Sequence, residues 1–339
     1  MILRRHMFKL VALGAAVLAF ALSSPAQAQQ PIELKLSHFV PPVHPFHKWV
    51  SEWAANIEKE SNGRLKFTIY PNGQLVGPPN RQLDAARNAI TDIAFSLHGV
   101  TPGRYAMTEI ANLPFTSPKA GTTPAETAPR MTELAEEYLA SEHQGLRILF
   151  MTSGSPVVMF SRVPVRSLDD LKGRKVRYSG AQNRQLFQAL GAVPMLVAPH
   201  ESQDSLNKGI IDAALFPYEA GLAYDLTSVA KYAIEPGTAT AAFAMVMNPA
   251  KYNSLPDDLK ALIDKHSGKA AAESFGKYWA ESEKRGREIL QKRGLEIIVM
   301  PEADVAKMKA VSQPIIEQEI EKLEKAGRPA RKFYEAYTR

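Results

Sequence analysis

The chain contains no cysteine among its 339 residues. It therefore has no disulfide, no thiolate metal site and no cysteine nucleophile. The nucleotide-binding motifs G-x-G-x-x-G and G-x-x-x-x-G-K-[ST] do not occur in the sequence, nor do the hydrolase motifs H-E-x-x-H and G-x-S-x-G. We therefore expect no cofactor and no enzymatic activity.

The chain also lacks a strong charge of either sign. It has 41 lysines and arginines against 35 aspartates and glutamates, which gives a net charge of +6. Three of the basic residues, Arg4, Arg5 and Lys9, lie in an N-terminal segment, and its removal would lower the net charge to +3. So small a charge argues against a nucleic-acid partner.

The N-terminal segment has the three parts of a secretory signal peptide. A basic start precedes an apolar run of 13 residues from Leu10 to Leu22, and Ala26-Gln27-Ala28 follows as a small-x-small cleavage site. We predict that residues 1–28 are a signal peptide cleaved near Ala28 and that the protein is periplasmic. The paired arginines leave the Sec and twin-arginine routes open, and a buried N-terminal helix is the alternative. No later apolar run reaches about 18 residues, so we expect no membrane insertion of the mature chain.

Strand and helix patterns alternate after this segment. Residues 32–38 alternate apolar and polar side chains as in a strand, and residues 44–63 carry an apolar helical face. A further strand, helix and strand follow up to residue 97, and a second β/α run extends from residue 146 to residue 216. This order predicts an α/β fold of two lobes, with mainly parallel sheets flanked by helices.

A long helical stretch runs from about Pro256 to Arg293. At about 1.5 Å per residue it exceeds the size of one small lobe, so we predict a helix that bridges both lobes. We assign residues 29–154 and 243–282 to lobe I, and residues 155–242 and 283–339 to lobe II. The ligand site of such a fold is expected in the cleft between the lobes, at the carboxyl ends of strands.

Three histidines, His38, His44 and His47, cluster near the end of the first strand. Imidazole is a common metal ligand, so a metal site is one interpretation. The three residues straddle a strand end, a proline turn and a helix start, however, and we favour capping and packing roles. We predict no metal site.

Four stretches, in a fixed order between about residues 32 and 300, carry a resemblance to one family. They read LKLSHFVPPVHPFHKW, GRLKFTIYPNGQL, SLDDLKGRKVRYSG and ALGAVPMLVAPHESQDSLNKGIIDAA. With them the chain resembles the solute-binding proteins of TRAP transporters, the tripartite ATP-independent periplasmic carriers. The resemblance implies a two-lobed periplasmic binding protein, type II-like, that closes on a small organic acid. It also implies delivery of that acid to the permease subunits in the membrane.

The same resemblance implies a role for Arg177. In this family the arginine of the G-x-K-x-R strand meets the carboxylate of the ligand, and Arg177 follows Gly173 and Lys175 at that place. A guanidinium suits this role because its planar fork can donate two parallel hydrogen bonds to one carboxylate. A structural ion pair with an acidic neighbour is the alternative.

Apolar side chains stand where family members for polar substrates commonly carry amide and acidic ones. The strand after GIID reads AALFPYEAG, with Phe216 and Tyr218, and the earlier stretch SGSPVVMFSR offers Val157, Val158 and Met159. Each unpaired hydroxyl of a sugar acid would cost roughly 1–3 kcal/mol there. An apolar body would instead gain about 25 cal/mol per Å² removed from water. We hypothesise an aromatic or otherwise apolar monocarboxylate. Alternatively, these residues are ordinary strand core and the ligand is an aliphatic keto, dicarboxylic or sugar acid.

Further side chains are expected around the cleft because they lie at or near strand ends. The complete predicted ligand-binding set is Arg177, Phe39, Ser96, His98, Arg104, Ser153, Ser155, Phe216, Tyr218 and Glu219. Phe39 would stack on a ring, and the two serines of MTSGSP would supplement Arg177 with hydroxyl donors. Glu219 would accept a hydrogen bond from a ligand hydroxyl, with a salt bridge to the other lobe as an equal alternative. For Arg104 the alternative is a solvated position on the surface.

The sequence leaves three rival functions. They are a periplasmic enzyme acting on an organic acid, a sensory receptor for a membrane kinase, and a binding protein of another carrier class. Conversion of a bound acid would indicate the enzyme, and adjacent permease genes would indicate transport. The order of the four stretches argues against another carrier class.

Overall fold

The computed structural model describes residues 30–116 and 123–339. The predicted signal peptide lies outside the described residues. Within the described part of the chain, no helix is long and apolar enough to cross a membrane.

Eleven strands and eleven α-helices occur in the described residues. The strands are β1 (Ile32–His38), β2 (Leu65–Tyr70), β3 (Ile93–Leu97), β4 (Arg147–Ser153), β5 (Val158–Ser161), β6 (Lys175–Tyr178), β7 (Val193–Leu196), β8 (Ala213–Phe216), β9 (Tyr232–Glu235), β10 (Ala242–Met247) and β11 (Glu296–Val299). The helices are α1 (Pro45–Glu60), α2 (Pro79–Arg87), α3 (Pro124–Tyr138), α4 (Ala181–Ala189), α5 (Ser202–Asn207), α6 (Tyr218–Ala223), α7 (Pro249–Asn253), α8 (Asp257–Lys265), α9 (Gly268–Lys292), α10 (Glu302–Lys325) and α11 (Ala330–Thr338).

The first sheet has five strands in the spatial order β2-β1-β3-β10-β4. β1 and β3 run parallel, whereas β10 runs antiparallel to both β3 and β4. β3 lies at the centre, and all five of its side chains are buried. Its sequence, IAFSL, is accordingly almost entirely apolar, as expected for a strand covered on both faces.

The second sheet has six strands in the order β11-β9-β5-β8-β6-β7. β6 is parallel to both of its neighbours, β7 and β8, whereas β5 is antiparallel to β8 and β9. The predicted α/β class with two helix-flanked sheets is confirmed. Both sheets are mixed, because β5 and β10 run against their neighbours.

Helix α9 contacts elements of both sheets. It packs against α3, β4 and α1 on the side of the first sheet, and against α6, which follows β8 of the second sheet. The predicted bridging helix is therefore present, but the helical stretch that was predicted from residue 256 to residue 293 is broken. α8 ends at Lys265, and α9 begins at Gly268, whose φ of +60° lies in the left-handed region that interrupts a helix.

The carboxyl-terminal helices pack on the first sheet. Ile316 and Ile320 of α10 and Phe333 of α11 share one apolar cluster with Ala94 and Ala244, which lie on β3 and β10. The chain therefore returns to the first sheet after β11. The predicted lobe boundaries at residues 154, 242 and 282 stay a prediction.

Candidate ligand-binding pocket

A cavity lies where ends of strands from both sheets meet. The first sheet contributes Leu97 at the end of β3, Phe243 of β10 and Phe39, which directly follows β1. The second sheet contributes residues of β6 and β8, together with the segments that follow them. Carboxyl ends of parallel strands are the usual ligand edge of an α/β sheet, and the cavity lies at that edge.

Arg177 of β6 is the charged centre of this cavity. Its side chain is buried, with Nε donating to the carbonyl oxygen of Val197 at 3.1 Å and Nη1 donating to that of Leu215 at 2.7 Å. Burial lowers the pKa of the guanidinium to about 10, so that it stays charged at neutral pH. Among the described residues no carboxylate forms an ion pair with Arg177. The alternative role, a structural ion pair with an acidic neighbour, therefore has no partner in this part of the chain.

The walls around Arg177 are aromatic and aliphatic. The guanidinium carbon Cζ lies 4.2 Å from the centroid of the Phe216 ring, within the range of a cation–π contact. Phe243 and Trp279 also line the cavity, with their ring centroids 5.1 Å apart. Phe39 stacks on Phe95, which is buried beneath it. These ring faces and aliphatic surfaces are complementary to an apolar body and offer no hydrogen bond to a ligand hydroxyl.

Glu219, on the first turn of α6, is a buried acid in the same cavity. Its Oε1 accepts a hydrogen bond from the indole Nε1 of Trp279 at 2.7 Å, and Nε2 of His44 lies 3.2 Å from its Oε2. Burial, and after it the nearby carboxylate of Glu283, raises the pKa of Glu219 well above its usual value. Burial lowers the pKa of the His44 imidazole to about 3, so His44 is uncharged at neutral pH and this contact is not a salt bridge.

Glu283 of α9 fixes the backbone that carries Glu219. Its Oε1 accepts from the backbone N–H of Tyr218 at 3.0 Å, and its Oε2 accepts from that of Glu219 at 2.9 Å. Burial raises the pKa of Glu283 to about 7. Gly286, one turn further along α9, allows the close approach, since a Cβ there would lie 2.9 Å from the Cα of Glu219.

Four buried polar atoms of the cavity wall have no hydrogen-bond partner among the described residues. They are Ser179 Oγ, Asn183 Oδ1, Glu219 Oε2 and Tyr224 OH. A buried polar atom without a partner costs roughly 1–3 kcal/mol, so native proteins rarely leave several together. All four belong to residues that line the cavity, where polar groups of a ligand could pair with them.

Four residues of the predicted set line the cavity: Phe39, Arg177, Phe216 and Glu219. Arg104 does not, because its guanidinium makes two hydrogen bonds to Asp84 on the protein surface. The alternative, a position on the surface, is the one observed.

The other five predicted residues are also absent from the cavity wall, and internal partners account for four of them. Ser96 Oγ donates to the carbonyl of Pro79, Ser153 Oγ lies 2.6 Å from Tyr337 OH, His98 pairs with His143, and Tyr218 OH donates to Glu235. Ser155 is buried and does not line the cavity, and its hydroxyl has no hydrogen-bond partner in residues 30–116 and 123–339.

Several lining residues were not predicted. The most consequential are His44, Ser179, Asn183, Tyr224, Phe243 and Trp279. Phe243 lies on β10, and the sequence does not show which face of the sheet its ring occupies. Trp279 and Tyr224 lie on or next to helices, where the helical pattern alone does not show which face meets the cavity.

The three clustered histidines have internal roles. His44 caps α1, since its Nδ1 accepts a hydrogen bond from the backbone N–H of Phe46 at 3.1 Å. His38 Nε2 lies 3.0 Å from His47 Nδ1. No group of three metal-ligating side chains with metal-site geometry occurs in residues 30–116 and 123–339.

Residues 36–323 match the family model described as bacterial extracellular solute-binding protein, family 7. Among curated relatives, the C4-dicarboxylate-binding periplasmic protein of Rhodobacter capsulatus is 28% identical over 286 residues, which is 84% of each chain. A TRAP solute-binding protein from Rhodoferax ferrireducens, solved with copurified benzoate, is 26% identical with a TM-score of 0.85 and covers 91% of this chain and 96% of its own.

A second solved structure comes from a marine metagenome. It is a TRAP solute-binding protein specific for aromatic acids in complex with 3-hydroxybenzoate, 27% identical to this chain. Its TM-score is 0.85, and the match covers 91% of this chain and 97% of that one.

Proposed function

This chain belongs to the bacterial extracellular solute-binding proteins of family 7 and is a solute receptor of the TRAP type, and we propose that its ligand is an aromatic or otherwise apolar monocarboxylate. Receptors of this family are extracytoplasmic, bind small organic acids and work with membrane permeases. They are not enzymes, which removes the enzymatic rival. Cleavage of a signal peptide near Ala28 belongs to the proposal, and the mass of the exported protein tests it.

The observation that carries the proposal is the buried Arg177 with no carboxylate partner among the described residues. A buried guanidinium that lacks an anion is costly, and a ligand carboxylate would supply the anion together with two directed hydrogen bonds. The carbonyls of Val197 and Leu215 hold the side chain in place for this purpose. Little side-chain entropy is then lost when the ligand binds.

The body of the ligand is inferred from the walls. Phe39, Phe216, Phe243 and Trp279 surround the cavity, and the burial of an aromatic ring against them gains about 25 cal/mol per Å² of apolar area. The solved relatives with benzoate and 3-hydroxybenzoate support this class of ligand. The Rhodobacter relative is named for C4-dicarboxylates, so short dicarboxylic acids are the second candidate class.

We further propose that the receptor closes over its ligand about the two segments that connect the sheets, residues 154–157 between β4 and β5 and residues 236–241 between β9 and β10. The backbone N–H of Gly180 donates to the carbonyl of Gly99 at 3.0 Å, joining the segment after β6 to the segment after β3. A Cβ on Gly99 would lie 2.6 Å from Ser179 Oγ, so the close approach of the two segments leaves no room for a side chain at position 99. The ligand would favour this closed state because only there do both sheets contribute contacts to it.

Thermal unfolding of the purified receptor against a panel of carboxylates tests the proposal. The protein is first unfolded and refolded to remove any copurified acid, and the panel contains aromatic, keto, dicarboxylic and sugar acids. A ligand at 100 times its Kd raises the free energy of unfolding by about 2.7 kcal/mol. A rise with aromatic acids alone would support the proposal, whereas a rise with dicarboxylic or sugar acids alone would overturn the ligand class and keep the receptor.

A further inference from the structure

Glu219 lines the cavity, and its Oε2 is a buried carboxyl oxygen without a hydrogen-bond partner among the described residues. Its two neighbours within the protein are both donors. The indole of Trp279 can only donate, and it does so to Oε1. His44 uses its Nδ1 to accept from the Phe46 backbone, so the neutral imidazole carries its proton on Nε2, which points toward Oε2 at 3.2 Å without forming a hydrogen bond of good geometry.

In either protonation state, Glu219 needs a hydrogen-bonding group that comes from the cavity. If the carboxyl is protonated, neither Trp279 nor His44 can accept its proton, so Oε2 has to donate into the cavity. If the carboxyl is ionised, Oε2 keeps a free lone pair that has to accept from the cavity. A hydroxyl group both donates and accepts, and it therefore satisfies Glu219 in both states.

Tyr224 lies near this carboxyl, since its ring centroid is 6.4 Å from that of His44, whose Nε2 lies 3.2 Å from Glu219 Oε2. Its hydroxyl is buried and unpartnered among the described residues, and it lies close enough to Glu219 and to Arg177 for both charges to affect its pKa. Arg177 and Glu219 do not pair with each other. The cavity thus has a cationic point for a carboxylate and, separated from it, an acidic point lined by Glu219 and Tyr224.

We propose that Glu219, together with Tyr224, makes the pocket selective for an acid that carries a hydroxyl group at a distance from its carboxylate, and against a second carboxylate at that position. The inference rests on the proposed function, since it assumes that Arg177 binds the first carboxylate. An ionised Glu219 repels a second carboxylate, and a protonated Glu219 would have to stay protonated to tolerate one.

Isothermal titration of the refolded receptor with matched acids tests the inference. The acids are benzoate with 3- and 4-hydroxybenzoate, phenylacetate with 3- and 4-hydroxyphenylacetate, and benzene-1,3- and benzene-1,4-dicarboxylate. At least one hydroxylated acid is expected to bind about tenfold or more tightly than its unsubstituted parent. The dicarboxylates are expected to bind about 100-fold more weakly than that hydroxylated acid.

The variant Glu219→Gln tests whether Glu219 itself sets the selectivity, because a purely structural role would not change the relative affinities for the matched acids. The amide keeps an oxygen for Trp279 and presents an NH₂ group to the cavity, so the variant is expected to bind a benzenedicarboxylate about tenfold more tightly than the natural protein does. Its preference for the hydroxylated acid is expected to shrink. Glu281→Gln, at an exposed position of α9, is the matched control and should change neither affinity.

Each result is decisive. Equal binding of the parent and hydroxylated acids by the natural protein would overturn the inference while leaving the proposed function intact, even if Glu219→Gln did not fold. A hydroxyl preference that survived unchanged in a folded Glu219→Gln variant would remove Glu219 from the assignment. Failure of every carboxylate to bind would overturn the proposed function itself, and this inference with it.

Discussion

The Arg177 guanidinium lies over the ring of Phe216, 4.2 Å from its centroid, across the pairing of β6 with β8. The same strand, β8, also supplies the Leu215 carbonyl that accepts from Nη1 of Arg177. One neighbouring strand therefore orients the cation by a hydrogen bond and covers it with an aromatic face. The guanidinium is pre-organised before any ligand contacts it.

The replacement Arg177→Lys keeps the charge but removes both this orientation and the fork. An ammonium cannot reproduce the Nε and Nη1 bonds and also form two parallel bonds to a carboxylate. We expect the affinity for the best aromatic acid to fall by about 100-fold, or roughly 2–3 kcal/mol, measured by isothermal titration. Arg184→Lys, at an exposed position of α4, is the control. Unchanged affinity in Arg177→Lys would contradict a bidentate contact.

Trp279 should report ligand binding by its fluorescence. It lines the cavity, whereas the other two tryptophans, Trp49 and Trp53, lie on α1 and are hydrogen-bonded to Ser274 and to the carbonyl of His266. We expect an aromatic acid to change the tryptophan emission of the natural protein and of Trp53→Phe, and we expect this change to disappear in Trp279→Phe. The prediction fails if Trp279→Phe still binds the acid and retains the full change.

Glu109 should make the stability fall as the pH rises. Burial, and then the carboxylates of Glu319 and Glu142, raise the pKa of this side chain to about 8. An unfolded glutamate titrates near 4.5, so between pH 4.5 and 8 the folded state binds more protons than the unfolded one, and the free energy of unfolding decreases with rising pH.

Glu109→Gln cannot titrate and removes this contribution. The free energy of unfolding is measured with urea for the variant and for the natural protein. The value for the variant minus the value for the natural protein should increase by on the order of 3 kcal/mol as the pH rises from 5 to 8, because one pKa unit corresponds to about 1.4 kcal/mol. Titrations of the other buried acids are common to both proteins and cancel in the difference. Glu288→Gln, at an exposed position, should show a constant difference, and a constant difference for Glu109→Gln would refute the assignment.

Gly286→Ala should destabilise the protein, although alanine is the better helix former. A methyl group at this position would lie 2.9 Å from the Cα and the backbone nitrogen of Glu219. We expect a loss of about 1–3 kcal/mol in urea unfolding from overpacking, together with weaker ligand binding as Glu219 is displaced. Lys284→Ala, exposed on the same helix, serves as the control. A stability gain in Gly286→Ala would show that α6 and α9 can move apart freely.

The parts of the site that follow strand order could be predicted from the sequence. Phe39, Phe216 and Glu219 follow or end strands whose carboxyl ends lie at the cavity, and the resemblance placed Arg177. Ser96 and Ser153 do not line the cavity, and the reason is local. Ser96 and Ser153 belong to strands whose successive side chains point to opposite faces, and both hydroxyls find partners inside the first-sheet part of the structure.

The positions of Arg104 and Trp279 could not be predicted from the sequence, because both depend on contacts between distant parts of the chain. The partner of Arg104 is Asp84, twenty residues earlier, and only the folded chain brings the two together. Trp279 lies in the middle of a 25-residue helix whose apolar positions look alike in sequence. Which of them meets the ligand depends on how α9 packs across both sheets, and helical periodicity carries no information about that.

Glu283 has no place in the cavity wall, yet it holds the backbone nitrogens of Tyr218 and Glu219. Bonds to backbone groups do not depend on which side chains those positions carry. The residues at positions 218 and 219 can therefore change in the course of evolution while their main chain remains anchored to α9. Because this turn is anchored through its main chain, a substitution at position 219 in the cavity wall can change the ligand that is bound while the packing of α6 on α9 stays the same.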